Sequence, residues 1–211
     1  MISRERQCIF IHIPKTGGTS IEDIIWGPER ENRTPDQLWK NLVRPGFNRY
    51  QSGGMQHLLA TQVRAEVGDD LFNRCFRFAF VRNPWDRAVS QYVYMKQRRD
   101  LRRLIGMNRF SSFKTYLNRL KRGTHVQWME QWRFILDDNG DMLVDFLGRY
   151  ENFKTDVRKV LDRLAISCDT LPHEKQGRRG PYPQYYDDES RELVADMYAR
   201  DIQLLGYRFE G

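Results

Sequence analysis

Apolar residues follow two rhythms along this chain. Cys8 to His12 and Phe76 to Val81 are apolar at nearly every position, and short runs of this kind, bounded by turn residues, read as buried strands. Elsewhere the apolar residues recur three and four positions apart, which predicts amphipathic helices. One follows the first strand from Ile21 to Trp26. A second spans about His57 to Val67, with Leu58, Leu59, Val63 and Val67 on one face. A third starts at Pro84, whose missing N–H costs nothing in a first turn, and runs to about Leu104. A fourth covers Ser111 to Lys121, capped by Ser111 or Ser112. A fifth runs from the cap Asn152 to about Ala165, with Val157, Val160, Leu161 and Leu164 inward. The last opens at Asp187 or Asp188, turns Leu193, Val194, Met197 and Ile202 inward, and stops at Gly206. Phe134 to Leu136 and Met142 to Phe146 flank Asp137-Asp138-Asn139-Gly140, a pattern that predicts a hairpin turning at Asn-Gly.

Two polar stretches lack either rhythm. Gly27 to Gly54 carries prolines at 28, 35 and 45 and is expected to be irregular, with one short helix near Pro35 to Leu42. Leu171 to Tyr186 reads as a loop containing His173, Lys175, Arg178 and Arg179. No repeat or linker divides the chain, so residues 1–211 are read as one domain, long enough to bury roughly 70% of its unfolded surface. No apolar run approaches the length of a membrane span, and no signal-peptide pattern precedes the first strand. The expectation is a soluble, cytoplasmic protein. Cys8, Cys75 and Cys168 are too few and too scattered for a disulfide framework or a zinc site, and Cys8 and Cys75 read as buried thiols.

Charge narrows the choice of ligands. The net charge of +7 favours anions without saying which. Lys96, Arg98, Arg99, Arg102, Arg103, Arg109, Lys114, Arg119, Lys121 and Arg122 face only Asp100. That run admits two readings: a solvated helical face, or a basic surface that draws in an acidic acceptor such as a glycan. No nucleic-acid motif accompanies it.

The first strand ends in Pro14-Lys15-Thr16-Gly17-Gly18-Thr19-Ser20 and the chain restarts at once as a helix. Such a junction aims several backbone N–H groups, and the positive end of the helix dipole, at one point suited to phosphate or sulfate. Gly17 and Gly18 admit a close approach, and Thr19 and Ser20 add hydroxyl donors. The loop departs from the Walker pattern, in which the lysine follows the last glycine. Lys15 precedes the glycines, where its ammonium can neutralise a leaving oxygen without a metal. The second strand ends in Arg82-Asn83-Pro84-Trp85-Asp86-Arg87, and Arg82 with Ser90 can meet one anionic group there. Arg87, deeper in the helix, is expected to form a structural ion pair.

These stretches together resemble the sulfotransferase family, in particular its carbohydrate branch of uronyl 2-O- and chondroitin 4-O-sulfotransferases with their bacterial relatives. Ile13 to Ser20 looks like the family's 5′-phosphosulfate loop, and Phe78 to Ser90 like its 3′-phosphate element. Arg149-Tyr150-Glu151-Asn152-Phe153, with the tail from Tyr185 to Tyr207, is similar to its C-terminal pattern. The resemblance implies a three-layer α/β fold of the P-loop NTPase-like kind, with a central, mostly parallel sheet flanked by helices. It implies 3′-phosphoadenosine 5′-phosphosulfate as donor, no metal, and an acceptor hydroxyl, on an acidic or neutral glycan in the carbohydrate branch. It assigns Lys15 and the backbone of Thr16, Gly17, Gly18, Thr19 and Ser20 to the 5′-phosphosulfate. Arg82 and Ser90 fall to the 3′-phosphate, and the loop at Arg178 and Arg179 to closure over the nucleotide. Among four histidines, His57 lies at the family's spacing before the 3′-phosphate strand and is the expected general base. His12, inside the first strand, reads as a packed residue. The competing readings are a nucleotide or small-molecule kinase of the same fold, and a non-catalytic nucleotide-binding module.

Overall fold

The computed structural model describes residues 1–27, 57–99, 102, 112–121, 125–168 and 179–210. The expected short helix near Pro35, together with Arg103, Arg109, Arg122, His173, Lys175 and Arg178, lies outside them.

Both apolar runs form strands, and the reason they are apolar at nearly every position is that both faces are covered. Strand β2 (Cys8–Ile11) pairs in parallel with β3 (Phe76–Val81), which pairs in parallel with β4 (Phe146–Arg149). The short β1 (Ile2–Ser3) adds an antiparallel edge beside β2, giving the order β1-β2-β3-β4. Side chains alternate across the sheet. Cys8, Phe10, Phe78 and Phe80 face helices α1 (Gly18–Trp26) and α7 (Phe153–Arg163), packing with Ile21, Ile25, Val157 and Leu161. Ile9, Ile11, Ala79 and Val81 face the other way, toward α2 (Ala60–Val67), α3 (Asp69–Arg74) and α6 (Trp132–Ile135). The result is the expected three-layer α/β arrangement, a four-stranded sheet flanked by helices. At Gly148 the Phe80 ring passes so close that a Cβ would lie 2.5 Å from it, so this position of β4 has room only for glycine.

A further cluster packs α4 (Pro84–Gln97) against α5 (Phe113–Leu120) and α8 (Asp188–Met197) through Trp85, Tyr92, Tyr116, Leu117 and Val194. The caps follow the chemistry of the sequence. Ser112 Oγ accepts the N–H of Thr115 at 3.2 Å, and the Asp187 carboxylate accepts that of Ser190 at 2.7 Å. The helix from Pro84 ends at Gln97, short of the expected Leu104. Three further expectations need correction. The stretch from His57 becomes helical only at Ala60, and Gly68, at φ +83°, separates it from the unexpected helix α3. The last helix breaks at Tyr198, with α9 (Ala199–Leu205) following, and stops as expected at Gly206 in the left-handed region. The hairpin is not a pair of strands. Phe134 and Ile135 are helical, a single antiparallel bridge joins Leu136 to Met142, and Phe146 to Arg149 enters the parallel sheet instead. The local reason is Asp201, whose carboxylate accepts the N–H groups of Gln131 and Trp132 at 2.8 Å each and so starts a helix there.

Candidate functional site

Because β2 and β3 are neighbours running in parallel, the two loops singled out by sequence leave the sheet side by side. At the end of β2, Thr16 turns inward and its hydroxyl donates to the Ile13 carbonyl at 2.9 Å, which braces the turn. Lys15 and Gly17 both take positive φ, +68° and +85°, and Gly17 is the N-cap of α1. Its carbonyl accepts from Ser20 N at 3.0 Å, leaving the N–H groups of Gly18 and Thr19 at the first turn, where a helix has no carbonyl of its own to offer them. Neither glycine is replaceable. A Cβ on Gly17 would meet Phe153 at 2.6 Å, and one on Gly18 would lie 2.1 Å from the His12 ring.

The end of β3 is fixed from both sides. Gln131, fully buried, donates its side-chain amide to the Arg82 carbonyl at 2.8 Å and accepts the Arg82 N–H at 2.9 Å, acting as a strand partner where the sheet has stopped. Glu151 accepts the Asn83 N–H at 2.6 Å, and Asn83 Oδ1 accepts that of Trp85 at 3.1 Å, capping α4. The Arg82 side chain then has little freedom. Nε and Nη2 each reach Asp86 Oδ2 at 2.7 Å, Nη1 donates to the Lys15 carbonyl at 3.1 Å, and the Tyr150 ring lies 3.8 Å from the guanidinium. The other oxygen of Asp86 pairs with Arg179. Lys15 Nζ sits 4.2 Å from the centre of the Tyr94 ring. Burial, and then the charges of Arg82 and Arg179, lower the Lys15 ammonium to about 8. Lys15, Arg82 and Arg179 therefore converge. Ser90 lies half-buried about 9 Å along α4 from its first residue.

His57 crosses the end of β2. Its Nδ1 donates to the His12 carbonyl at 2.7 Å, which leaves the lone pair on Nε2. Burial first, and the neighbouring His12 ring second, hold its pKa well below the usual imidazole value, so it is neutral at physiological pH. The two rings meet edge to face at 4.4 Å. His12 is the packed residue expected, stacked on Phe10 and bonded through Nδ1 to buried Glu22 at 2.7 Å. Arg87 is structural too, but its partners are not the acid expected: it donates to the carbonyls of Pro14 at 3.0 Å and Met129 at 2.8 Å.

Several residues of the site escaped the sequence reading. Asp86 had a signal, since it stands four positions after Arg82 on the same side of a helix start. Gln131, Tyr94 and the stacking of Tyr150 had none, because each reaches the site through tertiary contact.

Cations gathered at a glycine-bearing helix start, at the carboxyl ends of parallel strands, define an α/β protein with an anion-receptive crevice. The comparisons give that class its family. Residues 1–208 match the sulfotransferase family, and the chain belongs to it. The crystal structure of a sulfotransferase from Alicyclobacillus acidocaldarius is similar in fold, with a TM-score of 0.50 and 17% identity over 99% of this chain and 98% of that one. An uncharacterized protein of Archaeoglobus fulgidus is 32% identical over 107 residues, covering 51% of this chain and 82% of the relative. Family and fold together make this a transferase of the sulfuryl-transferring kind. Among the described residues, no helix is long and apolar enough to cross a membrane.

Proposed function

We propose that this protein transfers a sulfuryl group from 3′-phosphoadenosine 5′-phosphosulfate to a hydroxyl of a glycan. The observation that carries the reading is the meeting of Lys15, Arg82 and Arg179 beside the α1 start, with Arg82 Nη1 bonded to the Lys15 carbonyl at 3.1 Å. A ligand with phosphate groups at both ends of a ribose suits two anion sites on adjacent strands. When bound, the donor supplies a sulfuryl group joined through a bridging oxygen to its 5′-phosphate, and adenosine 3′,5′-bisphosphate leaves.

The residues divide the work. The Thr16–Ser20 loop, through the N–H groups of Gly18 and Thr19 at its helix start, and the Lys15 ammonium hold the 5′ end and stabilise charge on the leaving oxygen. Arg82 and Ser90 hold the 3′-phosphate, with Arg179, and Arg178 beside it in sequence, closing over the nucleotide. His57 Nε2 takes the proton of the acceptor hydroxyl as its oxygen bonds to sulfur. The Nδ1–H bond to the His12 carbonyl supports that role, because it fixes the neutral tautomer with the basic nitrogen identified. No step calls for a metal.

A glycan acceptor, acidic or neutral, is supported by a cleft of about 410 Å³ whose lining includes Trp128, His125, Lys121 and Arg133. Trp128 offers a face for a sugar ring and Lys121 suits a uronate or sulfate, while Arg133 is paired with Glu130 of the same lining at 2.9 Å. A cytoplasmic location belongs to the same reading and is supported by the three free cysteines. The test is calorimetric titration with adenosine 3′,5′-bisphosphate against ATP and magnesium, followed by sulfate transfer onto a panel of polysaccharides, oligosaccharides, lipids and phenols. Tight bisphosphate binding and turnover on a saccharide are expected. His57→Ala abolishes transfer and leaves bisphosphate affinity within about threefold. Preference for ATP with magnesium would assign a kinase instead, and binding without turnover a nucleotide-binding module.

A further inference from the structure

We propose that Asp86 is the positioning residue of the anion site: one carboxylate that holds Arg82 and Arg179 together and aims their remaining donors at the ligand. This rests on the nucleotide reading above. An arginine has five N–H donors. In Arg82 the Nε donor and one on Nη2 go to Asp86 Oδ2, and one on Nη1 goes to the Lys15 carbonyl. One N–H is left on each terminal nitrogen, the two-pronged arrangement that matches a phosphate. The Tyr150 ring at 3.8 Å blocks one face and keeps the plane from turning.

Arg179 comes from a distant part of the chain and meets Asp86 through the other carboxylate oxygen. The side chains of Arg82, Asp86 and Arg179 are only 6%, 16% and 14% exposed, so water screens their charges poorly. Two guanidiniums and the Lys15 ammonium repel one another in such a place. The downward push that both arginines exert on Lys15 is that repulsion. A carboxylate between the guanidiniums lets them stay.

Charge alone and positioning predict opposite effects here. Removing a negative charge beside an anion site tightens anion binding if charge alone matters. Removing a positioning carboxylate weakens it, because Arg179 leaves and Arg82 turns. The experiment titrates wild type, Asp86→Asn, Asp86→Glu, Arg179→Ala and the Asp86→Asn/Arg179→Ala double variant with adenosine 3′,5′-bisphosphate, and separately with inorganic pyrophosphate. Circular dichroism melts accompany each variant.

The expected result is bisphosphate affinity about tenfold weaker in Asp86→Asn, largely restored in Asp86→Glu, with the double variant no weaker than the weaker single. In turnover, Asp86→Asn raises KM for the donor about tenfold and leaves kcat within about twofold. Unchanged or tighter binding by a folded Asp86→Asn overturns the proposal, as does additivity in the double variant. Should Asp86→Asn not fold, Asp86→Glu and Arg179→Ala decide: affinity retained in the first and lost in the second supports the proposal, and any other pairing overturns it. A wild-type chain that binds pyrophosphate but not the bisphosphate refutes the nucleotide reading alone, and the same variants are then compared with pyrophosphate. Binding neither anion refutes both.

Discussion

Lys15 and His57 titrate away from their usual ranges for related reasons, and the signs matter for catalysis. Burial penalises the charged form of both, and cationic or ring neighbours add to it. In the role proposed for Lys15 the protonated form is the useful one, and it is lost as pH rises through about 8. In kcat/KM, which reports the free enzyme, an alkaline limb near pH 8 is therefore expected. In kcat the limb moves higher, because the bound anion favours the ammonium. In the role proposed for His57 the useful form is neutral, and its depressed pKa keeps it neutral well below pH 6.5. No acid limb near that pH is expected, and a pH–rate profile between 5.5 and 9.5 checks both. At this scale the sequence was informative where chemistry ties a residue type to a spacing: Lys15, Gly17, Gly18 and Arg82 all lie where the two loops leave the sheet side by side. The stacking of Tyr94 and Tyr150 was invisible, since an aromatic that stacks on a cation carries no local pattern.

Elements were legible in proportion to how far their local preference agreed with their surroundings. The buried strands Cys8–Ile11 and Phe76–Val81 and the capped helices from Ser112 and Asp187 meet little competition. The stretch from Phe134 to Phe146 does, and its Asn-Gly turn survives while the strands on either side go elsewhere. Asp201, far along the chain, provides the cap that makes Trp132–Ile135 a helix, and places Gln131 against Arg82. Gln131 thus extends β3 by one hydrogen-bonded position, and the turn that carries Arg82 depends on it. Gln131→Met leaves the buried N–H and carbonyl of Arg82 unsatisfied, which costs about 3 kcal/mol. For a chain of this size that lowers Tm by roughly 6–12 °C. Bisphosphate affinity should fall with it, since Arg82 loses its fixed base. A thermal melt with a parallel titration checks this, and an unchanged Tm would mean that water takes the place of the amide.

At the scale of the whole molecule, the sheet is the device that turns two remote motifs into one site. Parallel pairing of β2 with β3 puts residues 67 positions apart, Lys15 and Arg82, in hydrogen-bond contact. The segment Tyr150–Phe153 following β4 closes the same crevice: Tyr150 stacks on Arg82, Glu151 accepts the Asn83 N–H, and Phe153 packs over Gly17. The excess of cations acts over longer range. With a net charge of +7, turnover on an acidic polysaccharide should fall steeply between about 20 and 200 mM salt, and turnover on a neutral one hardly at all. Steady-state rates on matched acceptors read this directly, and equal salt dependence would remove charge from the account of acceptor choice. The buried strands β2 and β3, most of the helices, and the glycine loop that sets Lys15 at one strand end with Arg82 at the next were legible in the sequence alone, because each rests on a local rhythm or on chemistry tied to a spacing. Which carboxylate holds which arginine, that Gln131 completes a strand, and that His57 shows Nε2 rather than Nδ1 were decided only by the tertiary structure. Those are contacts between residues distant in the chain, and no local preference encodes a partner that folding alone brings near.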